Sequence, residues 1–266
     1  MNSVRSGLKT GLLGISLAEI AASFAMRRMR ASLRAMRPRD RANWLQDAAS
    51  TVLRRIGIAV VAEGDPPLDG LLVSNHLSYL DVLAYASLMP CVFVAKQEVH
   101  AWPLFGQFAT MAGTIFIDRK RHAVNGGAAM VEEALRAGVP VVLFPEGTST
   151  DGRTVLPFHS GFFEPAIRTN AAVTAAAIGY TSSTAEEASL AYYANDIFGT
   201  HLARTLGQGN VEARVIFSAK QSRYASRKKA ARGTQREVES LRTAIAGPRA
   251  ENQPLQDGFF RLTRAG

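Results

Sequence analysis

The chain has 266 residues, enough to bury one substantial core with an appendage. Its hydrophobic content of 47% and mean hydropathy of +0.01 exclude both a disordered chain and a polytopic membrane protein. A formal net charge of +9 and a pI of about 10.1 predict attraction to phosphate groups without separating lipid from nucleotide or nucleic acid, and the lone Cys91 excludes an intrachain disulfide and suits a reducing compartment.

Residues 1–56 read as an N-terminal helical, membrane-associating segment. From Thr10 to Met26 the chain is apolar apart from Ser, Thr and Glu19, which is short of the roughly 20 apolar residues of a comfortable bilayer span. Arg27, Arg28, Arg30, Arg34, Arg37, Arg39 and Arg41 follow, opposed only by Asp40. A signal peptide carries its charge in front, so this order argues against export. It predicts an interfacial or shallowly inserted helix at the cytoplasmic face of the cytoplasmic membrane, its arginine flank drawn to anionic headgroups. The alternative is a core helix followed by a solvated charged face. Trp44, Leu45, Ala48, Ala49, Val52, Leu53 and Ile56 then recur at helical spacing up to Gly57. Whether that helix packs on the domain or lies on the bilayer is open at this point.

From residue 57 to 246 strands alternate with helices. Strands are expected at 58–62, 71–74, 91–95, 114–117, 140–144, 173–178 and 211–218, and helices over 128–137 and 225–246. The alternation predicts an α/β fold with a mixed, mainly parallel central sheet flanked by helices. Residues 247–266, with Pro254 and Gly258, read as a loosely held tail.

Three expected strands run directly into polar loops, and in open α/β sheets chemistry collects at such carboxyl ends. The first is Asn75-His76-Leu77-Ser78-Tyr79-Leu80-Asp81. Five residues along a helix turn a side chain by roughly 140°, so His76 and Asp81 meet only if the histidine sits on the strand exit and the aspartate on the following helix. The carboxylate would then hold one ring nitrogen while the other takes a proton from a hydroxyl. Read blandly, Asn75 and Asp81 cap a helix and His76 is incidental. Lys96 stands past the strand expected at 91–95, and the second loop follows Thr114-Ile115-Phe116-Ile117 as Asp118-Arg119-Lys120-Arg121. Arg119 suits an anionic headgroup because its planar fork binds phosphate or carboxylate in bidentate fashion, or else it pairs with Asp118. The third loop follows Val141-Val142-Leu143 as Phe144-Pro145-Glu146-Gly147-Thr148-Ser149. Its amides suit an oxyanion or headgroup, and Glu146 suits hydroxyls or a cation.

Leu156 to Phe163 reads as plain core or as the lining of a hydrocarbon pocket. Cys91, in an apolar strand, reads as an inert buried thiol. Lys220, Arg223, Arg227, Lys228, Lys229 and Arg232 make a second basic cluster. The histidines 76, 100, 122, 159 and 201 form no close metal-ligand pair with one another or with Cys91, so no metal and no cofactor is expected.

The ordered set Asn-His-x4-Asp, Gly-x2-Phe-Ile-Asp-Arg and Phe-Pro-Glu-Gly-Thr resembles the glycerolipid acyltransferase family, which includes bacterial 1-acylglycerol-3-phosphate acyltransferases and lyso-ornithine lipid acyltransferases. The resemblance covers about residues 58 to 220. It implies His76 as catalytic base, Asp81 as its orienting partner, Arg119 on the acceptor headgroup, and Glu146, Gly147 and Thr148 holding the acceptor, with Lys96 a weaker match to a phosphate-contacting lysine. It further implies direct acyl transfer from acyl-CoA or acyl carrier protein to the free hydroxyl of a lysolipid, with 1-acylglycerol-3-phosphate as the acceptor. Two departures matter. Ser149 stands where many lysophosphatidate enzymes have arginine, and Val173-Thr174-Ala175-Ala176 lacks the family's usual proline. The run from Phe144 to Gly152 resembles the ornithine-lipid branch at least as well. Two other readings stand beside these: a thioesterase using the same dyad with water, and a non-catalytic basic protein binding membranes or nucleic acid. No groove-reading motif or stacking pattern accompanies the basic residues, so no nucleic-acid partner is expected.

Overall fold

The computed structural model describes residues 2–30, 36–102, 105–117, 126–246 and 260–263. Two helices come first, α1 (Asn2–Arg30) and α2 (Pro38–Ile56). Proline at the first turn of α2 fits where no N–H partner is needed, and Gly57 closes the helix in the left-handed region at φ 69°. Strands β1 (Ile58–Glu63) and β2 (Leu71–Ser74) lead to α3 (Leu80–Leu88), β3 (Val92–Lys96), α4 (Gln97–His100), α5 (Phe105–Met111) and β4 (Ile115–Ile117). Next come α6 (Gly127–Arg136), β5 (Val141–Leu143), a 3₁₀ turn at Ser160–Phe163, α7 (Glu164–Thr169) and β6 (Val173–Thr181). The chain continues through α8 (Glu187–Leu190), α9 (Phe198–Gly207), β7 (Val211–Ser222), α10 (Arg227–Ala246) and β8 (Phe260–Thr263).

Among the described residues these strands form one eight-stranded sheet in the order β4-β3-β5-β2-β6-β7-β1-β8. Every neighbouring pair is parallel except β6 and β7, so the expectation of a mixed, mainly parallel sheet holds. All seven strands read from the sequence are present, with β6 and β7 running on to Thr181 and Ser222. The eighth lies in the segment read as a tail, where Phe260 to Thr263 pair with Val60 to Glu63. That pairing depends on an open edge of β1, which only the assembled sheet reveals.

Both faces of the central strands are covered, and the two-residue side-chain period divides them between two cores. In β2, Leu72 points into a cluster with Trp44, Leu53, Tyr85 and Ile178 on the face covered by α2 and α3. Leu71 and Val73 point the other way, into a cluster with Val131, Phe163 and Val238 from α6, the 3₁₀ turn and α10. The α2 question is thus settled: Trp44, Ala49, Leu53 and Ile56 are buried, and the helix packs on the domain. Leu156–Phe163 contributes core rather than pocket, since Phe158 and Phe163 are both buried in the second cluster. Gly70, which enters β2 at φ 83°, cannot be replaced cheaply, because a Cβ there would stand 2.5 Å from the Ala172 carbonyl oxygen.

Helix α1 runs along the domain. Phe24 meets Trp44 edge-on at 5.0 Å, the Trp44 indole donates to Ser23 Oγ (3.0 Å), Arg55 pairs with Glu19 (2.6 Å), and Ser6 Oγ donates to the Ala203 carbonyl on α9 (3.0 Å). Its opposite face leaves Val4, Leu8, Ile15 and Met26 exposed. The apolar stretch is longer than the sequence suggests. Val4–Met26, 23 residues, has the length and composition to cross a membrane.

A half-buried ion pair fastens α10 to the sheet. Arg242 Nη1 and Nη2 meet Glu187 Oε1 and Oε2 at 3.0 and 2.7 Å, while the same nitrogens donate to the Ile178 carbonyl (3.2 Å) and the Gly152 carbonyl (2.7 Å). Removing the guanidinium takes two donors from the half-buried Glu187 carboxylate, which keeps the Tyr180 N–H, and one each from the Gly152 carbonyl and the Ile178 carbonyl, which keeps the Asn75 amide. Arg242→Ala should therefore lower unfolding stability by about 1–3 kcal/mol, read as a drop in the urea midpoint. A change under about 0.5 kcal/mol would show that α10 is held by packing alone.

Candidate active site

The site begins where β2 ends between β5 and β6. Asn75, buried, stands in for one more residue of strand: its Nδ2 donates to the Ile178 carbonyl (3.0 Å) and its Oδ1 accepts from the Ile178 N–H (2.9 Å). This amide pair fixes where the chain leaves the sheet. Ser74 Oγ, bonded by the Tyr85 hydroxyl (2.6 Å), adds a second tie to α3. His76 thus sits on the loop and Asp81 in the first turn of α3, an arrangement that lets residues five apart face one another.

Asp81 is wholly buried and accepts four hydrogen bonds. Its Oδ2 takes the backbone N–H groups of Leu77 (2.7 Å) and Ser78 (3.0 Å) and lies 2.7 Å from His76 Nδ1; its Oδ1 accepts from the Tyr180 hydroxyl at 2.5 Å. An oxygen accepting two backbone N–H bonds has no place for a proton of its own, so the proton in the His76–Asp81 bond belongs to Nδ1. The lone pair of the imidazole is then on Nε2. The ring stacks on Phe144 (centroids 4.2 Å apart, 14° between planes) and its side chain is 23% exposed, against 0% for Asp81.

Glu146 reaches the same loop from the end of β5. Its Oε1 accepts from the backbone N–H of His76 (2.8 Å) and its Oε2 from that of Leu156 (2.8 Å). Burial pushes its carboxyl up to about 7, against the pull of those two N–H groups and of the His76 ring. The loop is closed by the Thr150 N–H on the His76 carbonyl (2.9 Å), the Tyr192 N–H on the Leu77 carbonyl (2.8 Å) and Ser149 Oγ on the Tyr192 carbonyl (2.5 Å).

The structure therefore brings His76, Asp81 and Glu146 into one hydrogen-bonded group. Gly147 turns the chain beside them at φ 70°, and Thr148 is exposed on the same loop. Lys96 lies exposed at the end of β3, a strand that pairs with β5. Arg119 lies outside the described residues, as do Asp118, Lys120, Arg121 and Arg34. Cys91 is buried and its thiol pushed well up by that burial. In the first basic run Arg39 and Arg41 donate to the Gly138 (2.8 Å) and Thr110 (2.9 Å) carbonyls. The second run is at the far end of the sheet: Ser222 pairs with Val173 at the start of β6, whereas Ser74 pairs with Ala176.

Two features escape a reading of the sequence. Tyr180 reaches Asp81 from β6, 99 residues along the chain, and nothing local marks it. Tyr79, Trp102, Phe105, Tyr192 and Phe198 form a half-buried aromatic cluster beside the loop, with centroid separations from 4.6 to 6.3 Å. Buried His201 completes it. Its Nε2 faces the Ala191 carbonyl (2.9 Å), which only accepts, leaving Nδ1 to take the Tyr79 hydroxyl (3.1 Å); burial lowers its affinity for a proton. The elements carrying these aromatics are scattered from residue 79 to 198, so no spacing rule gathers them.

Comparison with known proteins gives the same picture. The Acyltransferase family profile matches residues 62–179, from the end of β1 through most of β6. A 1-acyl-sn-glycerol-3-phosphate acyltransferase of Neisseria meningitidis is 33% identical over 199 residues, covering 72% of this chain and 75% of the relative. A lyso-ornithine lipid O-acyltransferase of Pseudomonas aeruginosa is 34% identical over 152 residues, 55% of this chain and 57% of the relative. Among solved structures, the 1-acyl-sn-glycerophosphate acyltransferase PlsC of Thermotoga maritima superposes with a TM-score of 0.65 at 17% identity, over 94% of this chain and all of that one, and so shares the fold. The chain accordingly belongs to the acyltransferase family that includes the 1-acyl-sn-glycerol-3-phosphate and lyso-ornithine lipid acyltransferases, and it is an enzyme of that family.

Proposed function

We propose that this enzyme transfers a fatty acyl group from an acyl thioester, on coenzyme A or acyl carrier protein, to the free hydroxyl of a lysolipid, 1-acylglycerol-3-phosphate being the first acceptor to test. The observation that carries this reading is the His76 imidazole, fixed at Nδ1 by a sealed carboxylate and partly open to solvent. His76 Nε2 takes the proton of the acceptor hydroxyl as its oxygen attacks the thioester carbonyl carbon. The tetrahedral oxyanion collapses, the C–S bond breaks, and the imidazolium returns the proton to the departing sulfur. Asp81 holds the ring and offsets the imidazolium charge. Arg119 and Lys96 are proposed to meet the acceptor headgroup, and the amides of Gly147 and Thr148 to face the oxyanion or headgroup. Both Glu146 oxygens are occupied by backbone N–H groups, so we assign it to holding the His76 loop, through which it helps hold the acceptor. The aromatic cluster beside the loop offers an apolar surface to the acyl chain.

Lyso-ornithine lipid is the second acceptor reading. Ser149, which stands in place of a headgroup arginine, turns its hydroxyl inward to the Tyr192 carbonyl and adds no charge for a phosphate. For membrane attachment, α1 is fixed side-on to α2 and α9 while Val4, Leu8, Ile15 and Met26 face outward. This supports a helix lying in the cytoplasmic face of the membrane with the domain beside it. Residues 57–246 carry the catalytic motifs in this reading; within residues 1–56, α2 completes the core of that unit and α1 serves attachment.

Three outcomes follow. His76→Ala should cut acyl transfer by about 10²–10⁴-fold in a purified, liposome-supported assay, and near-normal turnover would reject the assigned base. Mass spectrometry of products from lysophosphatidate and lyso-ornithine lipid, each with acyl-CoA and with acyl carrier protein, should show one acceptor favoured at least tenfold; thioester loss independent of acceptor would make the enzyme a thioesterase. For Glu146 the sign is set by a carboxyl raised from 4.5 to about 7. Between those values the folded chain keeps a proton that the unfolded chain has released, so stability falls as pH rises through that window. Glu146→Gln should remove about 3 kcal/mol of the fall across it, seen in urea midpoints, even though its amide nitrogen cannot accept the second N–H and lowers stability throughout.

A further inference from the structure

The Asp81 carboxylate has two oxygens, and the reaction proposed above uses only one of them. Oδ2 serves His76 and the two loop N–H groups; Oδ1 is met by the Tyr180 hydroxyl at 2.5 Å, with both residues buried. We propose that Tyr180 is a positioning residue for acyl transfer: by donating to the free oxygen of Asp81 it locks the carboxylate's orientation and draws off part of its charge, setting how firmly Asp81 holds the His76 imidazolium. This inference rests on His76 acting as the base.

The chemistry of the surroundings supports a fixed donor. Burial, and then the adjoining Asp81 charge, hold the Tyr180 hydroxyl well above the ordinary tyrosine range, so it remains protonated and donates. Its backbone is clamped as well, its N–H donating to Glu187 Oε1 (2.7 Å), the carboxylate that Arg242 grips. The ionisable groups around the pair are Glu146 from the loop after β5, Tyr85 from α3, and Glu187 with Arg242 from α8 and α10. Of these, Glu146 holds backbone N–H groups, Tyr85 donates to Ser74, and Glu187 and Arg242 are committed to each other. Among the described residues Tyr180 is the one side chain shown donating to Asp81 Oδ1. A carboxylate deprived of that donor concentrates its charge on the imidazole. The imidazolium is then held longer, and the proton is returned less readily to the departing sulfur.

Tyr180→Phe keeps the ring and removes the donor. The expected result is a kcat about tenfold lower, an unchanged KM for the lysolipid, and an acid limb of the kcat/KM profile moved up by about half a pH unit to one unit. A tyrosine needed only for packing would leave that limb in place; an unmoved limb with kcat within twofold of wild type overturns the proposal. Should Tyr180→Phe fail to fold, site-specific 3,5-difluorotyrosine at position 180 preserves size and hydroxyl while strengthening the donor. It should move the limb to lower pH, and no movement is equally fatal. The His76→Ala assay separates the two levels: if that variant is active, the base assignment fails; if it is inactive while both Tyr180 changes are silent, only this inference fails.

Discussion

A carboxylate sealed from water is tolerable only when its charge is shared among donors, and Asp81 meets that condition with four. Two come from the loop that leads into its own helix, one from the imidazole, one from a strand on the far side of β2. The same contacts that make the buried charge affordable also dictate the loop's shape. The chain between β2 and α3 has to curl until Leu77 and Ser78 present their N–H groups to one oxygen, and in that curl His76 stands over it. Cap, loop and ring orientation are consequences of a single desolvated anion.

Around this centre the fold supplies rigidity in layers. Asn75 extends the pairing of β2 with β6 by one side-chain amide, which places Tyr180 level with Asp81. The Arg242–Glu187 pair joins β6, α8, α10 and the Gly152 turn, so the strand carrying Tyr180 is held from behind. Glu146 couples the loop after β5 to the backbone of His76. A site assembled at the carboxyl ends of three neighbouring parallel strands is thereby tied through backbone groups, which leaves side chains such as Thr148 open to solvent.

Much of this was legible beforehand, and the reasons are physical. Strands such as Leu71–Ser74 announce themselves because a strand buried on both faces is an uninterrupted apolar run. His76 and Asp81 were legible as a pair because their spacing forbids a shared helix face, which forces a strand-to-helix bend. The helix over 38–56 was legible as amphipathic, but its burial was not, because the same apolar stripe would suit a bilayer or a core. Tyr180 was invisible: its meaning depends on β6 lying beside β2, a register set by Gly70 against Ala172 and by Asn75 against the backbone of Ile178, which no local pattern around position 180 announces. β8 was missed for the matching reason, since a strand that completes an edge needs the edge to exist first.

The strand order has a consequence for how the chain comes into being. β1 is made early, yet its sheet neighbours are β7 and β8; Glu63 and its partner Arg214 are 151 residues apart. During synthesis β2, β5 and β6 can assemble as a parallel nucleus while the opening strand waits, its hydrogen-bonding edges uncovered, until β7 and then β8 have left the ribosome.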